Sequence, residues 1–280
     1  MAGTAFTLET DERLPIRGDF DAPADGAPAV VCVHGFKGFK DWGFWPETAR
    51  RLVLAGFAAV RFNFSHSGIG KDLASFTETE LFETGTYSRE VEDLRIVLRE
   101  VGEGRLPGAE GFRPRRIGLL GHSRGAVSAL ALAAREELLV ASVALWNPVA
   151  SVLWWDEKAR ALWRREGFWE VVNARTGQVF RVRAALLEDA ETNSQRLDPV
   201  GNAGRLTAPL LAVVAAEDES VPPESGRKIA RAVPAPGATL VELPATGHTF
   251  GVTHPPGAPA PSFESALEAT LHHFSTTLGG

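Results

Sequence analysis

Residues 117–134 restrict the fold most strongly, because a strand pattern and a helix pattern are joined there by only five residues. Ile117 and Leu119 belong to an apolar run that predicts a buried strand, and the Ala- and Leu-rich run after the turn predicts a packed helix. The joining residues, 121–125, read Gly-His-Ser-Arg-Gly, a G-x-S-x-G pattern. A turn this tight holds its central residue in a backbone conformation that costs about 1–3 kcal/mol. We therefore expect Ser123 at the tip of a strained turn, facing the N-terminal end of the helix.

The alternation of strand and helix patterns continues through most of the chain. Strands are predicted at residues 27–35, 57–64, 116–121, 139–148, 208–216 and 238–244. Strands that are apolar throughout and alternate with helices predict an α/β fold with a mostly parallel, doubly wound sheet. Near the N-terminus, residues 6–10 and 13–20 predict an antiparallel hairpin at one edge of that sheet.

One segment, residues 151–206, interrupts the alternation and is far longer than a normal connection between strands. Its patterns predict a helix over 155–167, a hairpin over 170–182 and a second helix over 184–197. We therefore predict a core domain formed by residues 1–150 and 207–280, and an inserted helical and hairpin cap, or lid, formed by 151–206.

The predicted cap is rich in aromatic residues, since it holds more than half of the tryptophans of the chain. One hypothesis is that these side chains line a substrate pocket, and the alternative is that they form only the hydrophobic core of the cap. For the pocket, we predict contributions from Trp154, Trp155, Phe168 and Trp169.

Composition excludes several classes of protein. The net charge of −6 is spread along the 280 residues, so no nucleic-acid partner is expected. The single cysteine, Cys32, allows no intrachain disulfide and no cysteine zinc site. No apolar run is long enough for a membrane span, and the N-terminus lacks the features of a signal peptide. We expect a cytoplasmic protein without metal or organic cofactor, and the oligomeric state stays open, with a homodimer as one option.

A serine hydroxyl is a poor nucleophile until a neighbouring base removes its proton. In chains with a G-x-S-x-G turn between strand and helix, an acid and then a histidine follow the serine in sequence. His248 comes directly after the sixth predicted strand, and we predict that it is the base. The alternatives are His254, His272 and His273, of which the last two lie in the predicted C-terminal helix.

The acid that orients the histidine is expected after the fifth predicted strand, where Glu217, Asp218 and Glu219 are consecutive. Its task is to accept the imidazole N–H, so that the other ring nitrogen faces the serine. The pattern alone does not choose among the three carboxylates.

Five motifs carry a resemblance to a known family: HGFKG at 34–38, FNFSHSGIG at 62–70, GHSRG at 121–125, EDESVP at 217–222 and GHTF at 247–250. Outside the predicted cap, the sequence resembles the α/β-hydrolases with a serine nucleophile. It is similar to the esterases and acylaminoacyl-peptidase-like hydrolases of the cinnamoyl esterase and dienelactone hydrolase type.

This resemblance implies the α/β-hydrolase fold. It assigns the acid to Asp218, because in the family the acid is the aspartate that two residues separate from a following Val-Pro pair, here at 221–222. It also assigns the base to His248. Dienelactone hydrolases proper use cysteine as nucleophile, so the serine favours an esterase. Epoxide hydrolases and dehalogenases would require aspartate at position 123 and are excluded.

Hydrolysis through Ser123 also requires two main-chain N–H groups that bind the oxygen of a tetrahedral intermediate. One is expected from Arg124, the residue after the nucleophile. The resemblance assigns the other to Phe36 in the HGFKG loop. Cys32, inside a predicted strand, is expected to be a buried apolar side chain.

Together these features predict a serine carboxylic-ester hydrolase that acts through an acyl-enzyme on small to medium, apolar or aromatic esters. The first alternative is an aminopeptidase or amidase with the same three residues, in which Glu78, Glu80 and Glu83 would hold a free amino group. The second is a non-catalytic, ligand-binding member of the fold.

Overall fold

A computed structural model describes residues 3–135, 140–174, 176–234, 237–258 and 260–279. Within these residues, ten strands form an eight-stranded sheet and a separate two-stranded ribbon. They are β1 (Thr4–Glu9), β2 (Pro15–Asp21), β3 (Ala29–Val33), β4 (Ala58–Asn63), β5 (Ile117–His122), β6 (Val140–Trp146), β7 (Phe168–Val172), β8 (Val179–Arg183), β9 (Leu210–Ala215) and β10 (Ala238–Leu243).

The order of strands in the large sheet is β1-β2-β4-β3-β5-β6-β9-β10. From β4 to β10 every neighbouring pair is parallel, whereas β1 and β2 form an antiparallel hairpin at one edge. The predicted mostly parallel, doubly wound sheet is therefore confirmed, and so is the N-terminal hairpin. Leu139 and Arg175, which the sequence patterns include in the fourth strand and in the later hairpin, lie outside the described residues.

The helices cover both faces of the sheet. They are α1 (Trp45–Leu54), α2 (Thr79–Thr84), α3 (Tyr87–Gly102), α4 (Gly125–Ala133), α5 (Glu157–Glu166), α6 (Ala185–Thr192), α7 (Ser194–Leu197), α8 (Pro199–Ala203), α9 (Glu224–Ala232) and α10 (Pro261–Phe274), with a final π-helical turn at Ser275–Gly279. None of the helices within the described ranges has the length and apolar character needed to cross a membrane.

Two hydrophobic clusters lie on opposite faces of the sheet. Along β3, Val31 and Val33 pack into the cluster that includes α3 and α4, and Val30 and Cys32 pack into the cluster that includes α1 and α10. This alternation is what a strand buried on both faces requires. Cys32 is buried, as expected, and burial raises the pKa of its thiol to about 12.

The segment predicted as a cap contains α5, the antiparallel ribbon of β7 and β8, and then α6 to α8. The single helix predicted over 184–197 is wrong, because the chain forms two helices, α6 and α7, that meet at Asn193. Polar contacts join the ribbon to the rest of the chain: Lys37 Nζ donates to the carbonyl of Val172, and Gln178 Nε2 donates to that of Phe76. The boundaries of the cap at 151 and 206 stay predictions.

Candidate active site

Ser123 lies at the turn between β5 and α4 with a φ of 55°, in the left-handed region. A serine rarely adopts this conformation, and the surrounding packing has to enforce it. The two glycines of the motif are required by contacts, since a Cβ on Gly125 would lie 2.4 Å from the carbonyl oxygen of Val33, and one on Gly121 would lie 3.2 Å from Ala126 Cα. The predicted strained turn at Ser123 is therefore present.

The loop after β3 packs directly against this turn. A Cβ added to Gly35 would lie 2.9 Å from Ser123 Cβ and 3.5 Å from the main-chain nitrogen of Arg124. Within the described residues, the N–H groups of Phe36 and Arg124 donate to no protein acceptor. The two donors that the oxyanion prediction requires are thus on adjoining loops and unpaired.

His34 holds the loop after β3 in place. The N–H of Phe64 donates to His34 Nε2 at 3.4 Å, so Nδ1 carries the proton and donates to the carbonyl of Gly35 at 2.9 Å. Burial lowers the pKa of His34 to about 4, which keeps the ring neutral and both hydrogen bonds available.

His248 and Asp218 form a hydrogen-bonded pair. The distance from His248 Nδ1 to Asp218 Oδ2 is 2.7 Å. The Asp218 side chain is fully buried and that of His248 is 21% exposed. The other carboxylate oxygen accepts the N–H groups of Ser220 and Val221, both at 2.8 Å. Burial alone would raise the pKa of Asp218, but the hydrogen bonds from His248 and from the main chain outweigh it, and the pKa is lowered.

Two side chains fix the main chain of His248 beside the serine turn. His122, the neighbour of Ser123, has its Nε2 3.0 Å from the carbonyl oxygen of His248, and the two rings are 4.7 Å apart between centroids. Burial lowers the pKa of His122 to about 3. Asn147, directly after β6, donates to the same carbonyl at 2.8 Å and accepts the N–H of Ala215 at 2.7 Å.

Sequence reasoning assigned no role to His122 or Asn147. The only signals were positional, since His122 lies inside the G-x-S-x-G motif and Asn147 follows the last residue of β6. Their contacts join distant parts of the chain, which periodicity does not reveal.

The alternative histidines and carboxylates are engaged elsewhere or exposed. His254 Nδ1 accepts the N–H of Gly43 at 3.1 Å, and His273 Nε2 lies 2.9 Å from the Ser142 hydroxyl. His272, Glu217 and Glu219 are exposed.

The three tryptophans predicted for the pocket contact one another. Trp154 and Trp155 stack with centroids 4.4 Å apart, and Trp155 lies 5.6 Å from Trp169. Phe168 lies under the guanidinium of Arg181. A pocket role for Trp154, Trp155, Phe168 and Trp169 stays a prediction.

A small cavity lies beside Gly35, and none of those four residues lines it. Its apolar wall comes from the loop after β3, from α2, from β8 and from α6. These elements contribute Phe36, Phe82, Val182 and Leu186, and Phe64, after β4, also lines the cavity. Its polar lining includes Arg124 and Glu90. Across the part of the chain that the structure describes, no group of three or more His, Cys, Asp or Glu side chains could hold a metal ion.

A comparison with curated proteins finds no match, whereas solved structures and a family model agree with this architecture. Among solved structures, the chain is similar to Est1E from Butyrivibrio proteoclasticus, with 18% identity, 98% of this chain and 100% of that chain covered, and a TM-score of 0.69. It is also similar to the esterase domain of a Rhodothermus marinus protein, with 20% identity, all of both chains covered and a TM-score of 0.65.

A third similar structure is a monoacylglycerol lipase from Paleococcus ferrophilus, with 18% identity, 92% of this chain and 99% of that chain covered, and a TM-score of 0.66. Likeness at these identities shows a shared fold. Residues 30–260, most of the chain, match the Alpha/beta hydrolase family. The chain therefore belongs to the alpha/beta hydrolase family.

Proposed function

We propose that the protein is a serine carboxylic-ester hydrolase in which Ser123 is the nucleophile, His248 the base and Asp218 the orienting acid. The observation that carries the proposal is the 2.7 Å hydrogen bond from His248 Nδ1 to the buried Asp218, with the His248 main chain fixed beside the strained turn of Ser123. This combination is what general-base activation of a serine requires.

In the proposed reaction, His248 Nε2 takes the proton of the Ser123 hydroxyl as its oxygen attacks the ester carbonyl. The main-chain N–H groups of Phe36 and Arg124 bind the oxyanion of the tetrahedral intermediate, and each is expected to contribute about 2.7–4 kcal/mol. Collapse breaks the bond to the alcohol, which leaves with the proton held by His248. Water then attacks the acyl-enzyme by the same route, and the carboxylic acid is released.

The proposed substrates are small to medium esters with an apolar or aromatic acyl group. The cavity beside Gly35 is small, and Phe36 and Phe82 stack in its wall with centroids 5.2 Å apart. We propose that residues 151–206 act as a cap over this cavity, which adjoins the serine turn at Gly35 and Arg124, since Val182 and Leu186 of that segment contribute to its wall. The similar protein Est1E has also been solved with ferulic acid bound, which supports an aromatic acid as one option.

The aminopeptidase alternative has less support. Two of its three proposed amine-binding carboxylates already lie beside arginines: Glu78 is 3.5 Å from Arg17, and Glu83 is 3.7 Å from Arg183 and also accepts the main-chain N–H of Arg181 at 2.9 Å. The third, Glu80, is exposed.

The test is covalent labelling with a serine-directed fluorophosphonate, together with hydrolysis of p-nitrophenyl esters. The wild type is expected to label at Ser123 and to hydrolyse the esters, and Ser123→Ala to do neither while keeping its melting temperature within a few degrees. Removal of the nucleophile leaves at most roughly 10³–10⁴-fold catalysis over water. Retention of more than a few per cent of wild-type turnover by Ser123→Ala would contradict the assignment.

A second assay separates the ester hydrolase from the aminopeptidase. It compares kcat/KM for an aryl ester with kcat/KM for an aminoacyl anilide of similar acyl group. We expect the ester to be favoured by far more than tenfold, because an amide also requires a bound leaving group that His248 protonates in position. An anilide rate within tenfold of the ester rate, lost in Glu83→Gln, would favour the aminopeptidase.

A further inference from the structure

The side chain of Arg124 is buried beside the proposed nucleophile and only partly paired. Arg124 is 7% exposed. Its Nε donates to Glu90 Oε2 at 3.1 Å, and its Nη2 lies 3.0 Å from Glu90 Oε1. Glu90 therefore occupies one edge of the guanidinium in a two-point contact, which is the strong geometry for an arginine and a carboxylate.

The remaining sides of the guanidinium differ in what they contact. Its central carbon lies 4.1 Å from the ring centroid of Tyr87 and 5.2 Å from that of Phe36, so aromatic rings cover its faces. Among the described residues, no protein acceptor contacts Nη1. A guanidinium carries five N–H donors. The edge formed by Nη1 and the second N–H of Nη2 is thus left without an acceptor.

This free edge belongs to a residue that lines the cavity beside Gly35. A buried donor without an acceptor is costly, about 1–3 kcal/mol and more for a charged group. Some buried polar atoms of this protein have neither a partner nor contact with solvent, but Nη1 of Arg124 is not one of them. Nη1 therefore keeps some exposure to solvent, and because Arg124 lines the cavity, a ligand bound there could supply the acceptor that the protein does not.

The charges around the cavity favour a neutral acceptor over an anion. Two cations, Arg124 and Lys37, line it, and Glu90 balances one of them. The carboxylate of Asp189 on α6 is close enough to Arg124 to interact with its charge. With two positive and two negative side chains, a further carboxylate would gain little attraction and would still lose its hydration on entry.

We propose that the free edge of Arg124 binds a neutral oxygen, such as a keto or amide carbonyl, on the acyl group of the substrate. The inference rests on the proposed ester hydrolysis and names the class of ester: an acyl group with an apolar body against Phe36, Phe82 and Val182, and an oxygen acceptor near its far end. Arg124 is then a specificity-determining residue through its side chain, in addition to the proposed role of its main-chain N–H.

The test uses four p-nitrophenyl esters: hexanoate, 4-oxohexanoate, 5-oxohexanoate and the monoester of glutaric acid. Each kcat/KM is divided by the rate of hydrolysis of the same ester by hydroxide, which removes differences in intrinsic reactivity. For the wild type we expect at least one oxo ester to exceed hexanoate by about tenfold or more, the range of a hydrogen bond from a charged donor. The carboxylate ester should not exceed the better oxo ester.

The variant is the double substitution Arg124→Met with Glu90→Leu, because loss of Arg124 alone would leave Glu90 buried and unpaired. In this variant the ratio of oxo ester to hexanoate should fall to about one, whatever happens to the rate on hexanoate itself. Lys37→Met, which removes the other cation of the cavity, is the matched control and should keep the wild-type ratio. Thermal melting of each variant shows that it is folded before rates are compared.

Three outcomes would overturn the inference: no preference for either oxo ester in the wild type, a preference that persists in the double variant, or a higher kcat/KM for the carboxylate ester than for both oxo esters. Failure of the proposed function looks different, since the wild type would then hydrolyse none of the four esters.

Discussion

Asn147 Nδ2 donates a 2.8 Å hydrogen bond to the carbonyl oxygen of His248, although 101 residues separate the two in sequence. The Oδ1 of the same amide accepts the N–H of Ala215 at the end of β9. The loop that carries Asp218 begins directly after that strand. One buried side chain therefore links the strand end before the proposed acid, Asp218, to the main chain of the proposed base, His248.

Asn147→Gly is expected to lower kcat by roughly tenfold to a hundredfold with little change in KM, since it removes a buried hydrogen bond that fixes His248. Glycine is the suitable replacement because Asn147 has a φ of 45°. Steady-state kinetics on p-nitrophenyl esters give both parameters.

The matched control is Asn202→Ala, which removes another buried amide that forms two hydrogen bonds, with Arg196 and Arg205. It should lower the melting temperature and leave kcat near wild type. Equal losses of kcat in the two variants would show that Asn147 has only a structural role.

Removal of either member of the proposed acid–base pair is expected to lower kcat/KM severely, by 10³-fold or more for Asp218→Asn and His248→Ala. Glu219→Gln and His254→Ala are the matched controls. Glu219 is exposed, and the ring of His254 contacts Phe39, Trp42 and the N–H of Gly43. Both controls should change kcat/KM less than about fivefold. His254→Ala should lower the melting temperature, because it removes the ring contacts and the hydrogen bond of His254. If instead Glu219→Gln and His254→Ala were severe while Asp218→Asn and His248→Ala were mild, the choice of Asp218 as acid and His248 as base would be wrong.

Gly35→Ala should inactivate the protein more than it destabilises it. The added methyl group would lie 2.9 Å from Ser123 Cβ and 3.0 Å from the carbonyl oxygen of His122, too close without a shift of the loop that carries Phe36. Gly204→Ala is the control, since its nearest neighbour would be 3.5 Å away at an ordinary helical φ of −66°. We expect a loss of labelling by fluorophosphonate in the first variant only. Full labelling of Gly35→Ala would show that the loop adjusts freely.

His273 is expected to make the stability of the fold depend on pH. Burial lowers its pKa from 6.5 to about 4. Between these values the unfolded chain binds a proton at this residue that the folded chain does not, so its contribution is full above pH 6.5 and is lost as the pH falls towards 4. His273→Gln should reduce the slope of unfolding free energy against pH by up to about 1.4 kcal/mol per pH unit. Urea unfolding of the wild type and of His273→Gln at pH 7, 6 and 5 measures the two slopes. Identical slopes would show that His273 does not make stability depend on pH.

The sheet and the serine turn could be predicted because they depend on local patterns. Apolar runs of the right length indicate β3, β5 and β9, and two glycines around Ser123 indicate a tight turn. The choice of Asp218 among three consecutive carboxylates required a resemblance, since only the folded loop shows that Asp218 is buried while its neighbours are exposed.

The contacts that complete the site were beyond sequence reasoning. The sequence predicted a role only for the main-chain N–H of Arg124, whereas the two-point contact of its side chain with Glu90 depends on how α3 packs against α4. The break between α6 and α7 at Asn193 was missed because Ala- and Glu-rich sequence favours a continuous helix, and tertiary contacts override that preference.

The left-handed backbone of Ser123 has a consequence for how this position evolves. Glycine adopts a φ of 55° without strain, so Ser123→Gly should be more stable than Ser123→Ala by about 1 kcal/mol, measurable by urea unfolding. Any side chain at position 123 therefore lowers the free energy of unfolding relative to glycine. In a lineage released from selection for activity, glycine could replace this serine without loss of stability. Retention of the serine among descendants would therefore indicate purifying selection on its proposed role as nucleophile.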